Sequence, residues 1–130
     1  MKNKKYLINT DKAPKAIGPY SQAVKFNNLI FTSGQIPIDP KTGLIVSEEF
    51  TKQVYQCLKN IKSILDEEKL SLNHILKLTV YLKDLNQFNK LNQVFEDFFD
   101  DEYPARSAVE VSRLPKDSQV EIEAVFYYGD

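Results

Sequence analysis

Residues 75–111, ILKLTVYLKDLNQFNKLNQVFEDFFDDEYPARSAVEV, decide the fold, because the apolar spacing along them changes from two to nearly four and back. In residues 75–83, Leu76, Leu78, Val80 and Leu82 alternate with Lys77, Thr79, Tyr81 and Lys83, the pattern of a strand covered on one face. Asp84 with Gln87 three positions on has the form of a capping box, which predicts a helix to about Asp100. Its apolar stripe is Phe88, Leu91, Phe95 and Phe98 or Phe99. After Pro104, small and β-branched residues predict a strand from Ala105 to Val111. Arg106, Ala108 and Glu110 share one of its faces, and Ala105, Ser107, Val109 and Val111 the other. A guanidinium there has nothing long to shield it and nothing large in front of it.

Downstream, QVEIEAVFYY predicts a strand in which Val120, Ile122, Ala124 and Phe126 alternate with Glu121, Glu123, Val125 and Tyr127. Upstream, Ser47 followed by Glu48 and Glu49 predicts a helix start, and the helix runs to about Lys69. Phe50, Val54, Leu58, Ile61 and Leu65 form its buried stripe. IPIDPKTGLIV supplies a further strand and a turn, with Pro40 early in the turn and Gly43 at a positive φ. AVKF and LIFTSG, joined by Asn27-Asn28, predict a β-hairpin. Two amphipathic helices cover one face of such a sheet, so the fold class is α+β in two layers, with the other face open. The expected open face carries Lys77, Thr79, Tyr81, Arg106, Ala108, Glu110, Glu121 and Glu123, and its mixed polar and aromatic character predicts a homo-oligomer.

Composition narrows the chemistry. The 130 residues, 42% of them apolar, suit one domain over 1–130. MKNKKY is basic, but no apolar run of signal length follows and no segment reaches the roughly 20 residues of a spanning helix, so a cytoplasmic protein without membrane contact is expected. Cys57 has no partner for a disulfide, and with His74 alone beside it no metal site is expected. A net charge of −1 lacks the basic footprint of a nucleic-acid binder. GPYSQ and SGQIP match no phosphate-cradling spacing. His74 reads as a boundary residue between helix and strand and Cys57 as a buried inert thiol, so no nucleophilic triad can be assembled. An arginine, a carboxylate, hydroxyls and an amide remain. Asn92 interrupts an aromatic stripe, as a backbone cap or as a site residue; Glu121 and Glu123 share a face, as a solvated pair or as part of a site. Ser33-Gly34 follow an apolar strand, and Tyr20 follows the Gly18-Pro19 turn.

In combination, IGPYSQAV, FTSGQIPIDPKTG, TVYLKDLNQFNKLNQVFEDFF and PARSAVEVSRLPKDSQVEIEA, in this order over nearly the whole chain, resemble the RidA (YjgF-like) family of reactive-intermediate deaminases. The resemblance implies a chorismate-mutase-like α+β subunit, with a mixed sheet and two helices on one face. It also implies a homotrimer with its sites between subunits and hydrolysis of 2-imino acids to 2-keto acids and ammonia, without cofactor or metal. On it, Arg106 is the anchor for the substrate carboxylate and Glu121 the carboxylate that activates water. Tyr20, Ser33, Gly34 and Asn92 line the cleft, and Glu123 is structural. Ala108 stands where many members have cysteine, so only its main chain can contribute. Two alternatives accompany this assignment: a single-strand endoribonuclease or translation inhibitor, and a keto-acid-binding, chaperone-like module without catalysis.

Overall fold

The computed structural model describes residues 4–129. Strands β1 (Lys5–Ile8), β2 (Ala23–Phe26) and β3 (Leu29–Thr32) are followed by helix α1 (Phe50–Glu67) and strand β4 (Ile75–Leu82). Helix α2 (Phe88–Phe98) and strands β5 (Ala105–Glu110) and β6 (Val120–Tyr127) complete the chain. One sheet runs in the order β1-β2-β3-β6-β4-β5, antiparallel except for the β4–β5 pair, which is parallel because α2 carries the chain back. Both helices lie on one face, so the expected two-layer α+β architecture is the observed one.

The core forms where the periodicities place it. Phe50, Val54, Leu58, Ile61 and Leu65 of α1 are buried against Val120, Ile122, Ala124 and Phe126 of β6 and Leu78, Val80 and Leu82 of β4. Removal of an Ile or Leu side chain from water at these positions contributes about 1.5–3 kcal/mol each. The hairpin turns through Asn27, whose φ of 55° is the left-handed conformation that asparagine tolerates. Gly43 sits at φ 75°, as its turn requires.

Several expectations are corrected. β1, a short edge strand beginning within the basic N-terminal stretch, was not foreseen. No strand forms in the 36–46 segment; it makes a single bridge, Ile38 to Ile45. Instead it is tied to α1 by buried amides: Asn60 Nδ2 donates to the carbonyls of Ile36 (3.3 Å) and Ile38 (3.1 Å), and Gln53 Nε2 donates to the Ser47 carbonyl (2.8 Å). Ser47 Oγ accepts from the Glu49 N–H, but α1 opens later, with Glu49 in the N-cap position. Asp84 caps a 3-10 turn over Leu85–Gln87 that precedes α2, accepting from the Asn86 N–H at 2.9 Å. A bulge between Ile75 and Lys77 turns Leu76 out to solvent and gives its buried place to Ile75.

The largest correction concerns β5. Arg106, Ala108 and Glu110 pair in register with Leu78, Val80 and Leu82, so they lie on the helix side of the sheet, not on its open face. Their polar character is tolerated because β5 is the sheet's edge, where every strand residue stays exposed or half-buried. The open face carries Lys77, Thr79, Tyr81, Ser107, Glu121 and Glu123, together with exposed Leu7, Phe26, Phe31 and Val109.

Candidate functional site

The candidate residues gather in two separate places. The first is a cleft of about 320 Å³ where the chain leaves β3 and passes the start of β6. Tyr20, Ser33, Gly34 and Glu121 line it, with Ile17, Ile36 and Pro115 forming apolar walls. The Ser33 N–H donates to the Gln22 carbonyl (2.8 Å), and the Gln35 N–H to that of Ile122 (2.8 Å), which clamps Gly34 against β6.

Each polar group in this cleft has a defined orientation. Ser33 Oγ donates to the Ser21 carbonyl at 2.6 Å, which commits its proton and leaves its lone pairs free to accept. The Tyr20 hydroxyl accepts from the Ile17 N–H at 3.1 Å, which leaves its own proton available to a ligand. The Glu121 carboxylate lies against Gly34 so closely that a Cβ there would meet Glu121 Oε2 at 1.9 Å. Burial first, and the Glu123 charge second, hold the Glu121 carboxyl above the usual carboxylate range. A carboxylate raised in this way takes a proton more readily than an ordinary one and can return it.

Glu123 itself accepts a hydrogen bond from the Tyr81 hydroxyl at 3.2 Å on the open face. Beneath the cleft, burial and the Glu121 charge push the Cys57 thiol well up, and its Sγ lies 3.8 Å from the Val120 carbonyl, so it is the inert thiol expected. His74 bridges the Ser71 N–H and the Gly129 carbonyl, far along the chain from either cleft lining, as a boundary residue does.

The second place is a cleft of about 290 Å³ between α2 and the start of β5, lined by Asn92, Phe95, Glu96, Tyr103, Pro104 and Arg106. The Arg106 guanidinium stacks on Phe95 (4.9 Å) and Phe88 (5.1 Å to the ring centroids). Among the described residues no carboxylate lies within 4.0 Å of it, Glu96 included. Burial draws its pKa down from the ordinary value without a compensating anion. A flat cation held by two aromatic faces keeps its N–H edges open for a planar anion. Ala108 reaches neither cleft; it packs against the hydrophobic core.

Arg106 and Glu121 therefore do not meet within one chain. Arg106 aligns through Leu78 with Ala124, three residues along β6 from Glu121 and two strands away. At about 3.3 Å per residue and about 4.8 Å per strand, their Cα atoms are roughly 14 Å apart, on opposite faces of the sheet.

Sequence reasoning missed Gln22, whose buried amide orders the loop before the cleft. It donates to the carbonyls of Thr10 (3.0 Å), Ala13 (3.3 Å) and Pro14 (2.8 Å) and accepts from the Thr10 N–H (2.7 Å). A lone glutamine before an apolar strand carries no periodic signal. Pro115 was also missed; it enters the cleft on a turn in which Lys116 and Asp117 both adopt left-handed φ values of 56° and 55° without a glycine to mark them.

The family model described as Endoribonuclease L-PSP matches residues 10–127. A RutC family protein of Pyrococcus abyssi is 57% identical over 123 residues, covering 95% of this chain and 97% of its own. The 2-iminobutanoate/2-iminopropanoate deaminase of Salmonella typhimurium is 50% identical over 121 residues, covering 91% and 94%. Among solved structures, E. coli TdcF with bound serine superimposes with a TM-score of 0.91 at 45% identity, over 95% of this chain and 99% of that one.

Proposed function

The chain belongs to the endoribonuclease L-PSP family, which includes RutC and Rid proteins, and from that premise we propose that it hydrolyses 2-imino acids to 2-keto acids and ammonia. The observation that carries this proposal is the unpaired, aromatic-stacked guanidinium of Arg106, a pre-formed seat for a carboxylate. One deaminase at 50% identity bears that activity in its name.

In a 2-imino acid the carboxylate is bonded directly to the imine carbon, so the two groups that handle them must lie within a few ångströms of each other. Arg106 and Glu121 of one chain are too far apart, and on opposite faces. Under the proposal, Arg106 of one copy and the Glu121 cleft of another together form the site, in a homotrimer whose open sheet faces are buried. Exposed Leu7, Phe26, Phe31 and Val109 give that face an apolar contribution consistent with such burial.

The chemistry is short. Arg106 binds the carboxylate through two parallel hydrogen bonds, and the Tyr20 hydroxyl donates to the substrate. Glu121 takes a proton from water as its oxygen bonds to the imine carbon, and the imine π pair becomes the nitrogen lone pair and takes up a proton. In the carbinolamine the hydroxyl proton passes through Glu121 to the amino nitrogen, an oxygen pair closes the C=O bond as the C–N bond breaks with its pair on nitrogen, and ammonia departs, leaving the keto group. An imine is already electrophilic, so positioning and one proton-transfer group are sufficient.

Complementation of two inactive variants tests both the reaction and the shared site. Arg106→Ala and Glu121→Gln are each expected to lose decay of imine generated in situ by an amino-acid oxidase. Co-refolding them assembles clefts that hold an intact arginine and an intact carboxylate from different copies, and activity returns. Failure of the mixture to recover, with the parent active, overturns the shared site; an inactive parent overturns the reaction. Tight keto-acid binding by an inactive parent would favour the non-catalytic binding module instead.

A further inference from the structure

We propose that Tyr81 and Glu123 are positioning residues for Glu121: the Tyr81 hydroxyl holds Glu123 as a fixed anion, so that of the two neighbouring carboxylates Glu121 is the one that carries the moving proton. The inference rests on the proposed deaminase site and deepens it, giving a part in the chemistry to a glutamate that the family resemblance makes only structural. The arrangement follows from register. Tyr81 pairs with Glu121 and Thr79 with Glu123, and all four side chains share the open face of the sheet, half-buried. The two carboxylates leave β6 two residues apart, roughly 7 Å along the strand. Groups so placed do not lose their protons independently.

Tyr81 breaks the symmetry between them. Its hydroxyl has one proton to give, and although its backbone lies opposite Glu121, it donates to Glu123 at 3.2 Å. The ring therefore runs diagonally, from the Glu121 row to the Glu123 row. A donor favours the ionised form of the carboxylate it serves, and among the described residues none donates to Glu121. Tyr81 keeps its own proton, because burial and then the Glu123 charge hold it above the ordinary tyrosine value. No other charge on that face pairs with either carboxylate. Lys77 in β4, Lys83 just beyond it and Lys15 in the cleft lining form no ion pair with them among the described residues. β3 presents Leu29 and Phe31, β5 presents Ser107 and the cleft presents Tyr20 and Ser33. Tyr127 lies two rows further along β6, and beneath it all burial keeps the Cys57 thiol protonated. In the proposed assembly a second copy adds Arg106 to parent and variants alike, so the difference between them reads Glu123.

The measurement is the titration of the Glu121 carboxyl by carbon NMR, on protein labelled at its glutamate side-chain carboxyls, with the resonance identified by its loss in Glu121→Gln. Glu123→Gln keeps an oxygen to accept the Tyr81 proton and removes the charge; Tyr81→Phe keeps the ring and removes the donor. In both, Glu121 is expected to titrate at lower pH than in the parent. The shift is larger for Glu123→Gln, because Glu123 in Tyr81→Phe stays an anion over part of the range. The acid limb of the rate of imine decay moves with the titration in each variant. A Glu121 titration unmoved by Glu123→Gln overturns the inference, and one moved by Glu123→Gln but not by Tyr81→Phe overturns the part given to Tyr81. If the titration moves while the parent decays no imine, the control of Glu121 stands and the deaminase reading falls. If it moves and the acid limb of an active parent does not follow, the inference falls together with the assignment of Glu121 as the base.

Discussion

Gly34→Ala is the sharpest test of Glu121, because it perturbs the carboxylate without touching its chemistry. An added Cβ would lie 1.9 Å from Glu121 Oε2, 2.8 Å from Cδ and 3.1 Å from Cγ. Non-bonded atoms settle at about 3.5 Å, so the carboxylate must retreat by roughly 1.5 Å. The backbone imposes no penalty of its own, since Gly34 is not among the residues with positive φ. The displaced group is the end of a flexible side chain, so adjustment to another rotamer costs about 0.5–1.5 kcal/mol and is partly offset by its better hydration. A catalytic group misplaced by about 1 Å costs on the order of 100-fold in rate, or about 2.7 kcal/mol in the barrier. Urea melts are therefore expected to move little while kcat for imine decay falls about 100-fold. In a Glu121→Gln background the same alanine should add almost nothing, because the displaced group is already disabled. Parent-like kcat in Gly34→Ala would refute the assignment of Glu121 to the chemistry.

Three further substitutions probe separate parts of the molecule. Arg106→Lys keeps the charge but loses the planar fork; Arg106→Ala is expected to weaken 2-oxobutanoate binding by about 2–5 kcal/mol and the lysine variant by less, and equal affinities by calorimetry would remove the anchor. Because Glu121 is held above the usual carboxylate range, its ionisation opposes folding, an opposition absent below the ordinary carboxylate value that grows as pH rises from there to the raised value and is complete above it. Glu121→Gln should therefore raise the thermal midpoint at about pH 7.5 and not at about pH 3, and an equal gain at both would count against that burial cost. Asn60→Ala leaves the Ile36 and Ile38 carbonyls without their buried donor and should destabilise by about 2–4 kcal/mol in urea titrations; a change within about 0.5 kcal/mol would mean water replaces it.

The two helices were legible because eleven or more residues at a constant period outvote local noise, and every residue assigned to the α1 stripe is buried. Leu76 was misplaced because a bulge shifts parity by one without any sequence mark, so the strand's first alternation predicts the wrong side. The side taken by Arg106 was unreadable for a different reason. Periodicity states which residues share a face, not which face meets the helices; in β4 and β6 aliphatic bulk decides, but in β5 the rival sets are Arg106, Ala108, Glu110 and Ala105, Ser107, Val109, neither of which is apolar enough to choose. Register with β4 settles it. The resemblance of four ordered blocks singled out Tyr20, Ser33, Gly34, Asn92, Arg106 and Glu121, which line the two clefts, and Ala108, which lines neither, whereas Gln22 and Pro115 enter through loops that have no period.

The placement of Arg106 also explains how a bare guanidinium persists on the helix side of a sheet. Had β5 been a central strand, the cation would face aliphatic side chains and would cost several kcal/mol to desolvate without a partner. At the edge, α2 presents Phe88 and Phe95 instead, and their π faces attract the cation while leaving its donor edge uncovered. Phe88, at the first position of α2 and 37% exposed, is therefore poorly explained as core alone and well explained as half of this clamp. The same arithmetic that puts Arg106 there puts Glu121 on the opposite face, since residues 106 and 124 share a row and 121 differs from 124 by an odd number. No rotamer change reverses that parity. A reaction that needs both groups on adjacent atoms is thus tied to assembly, and dilution below the association threshold should abolish turnover while each subunit's helices and sheet remain intact.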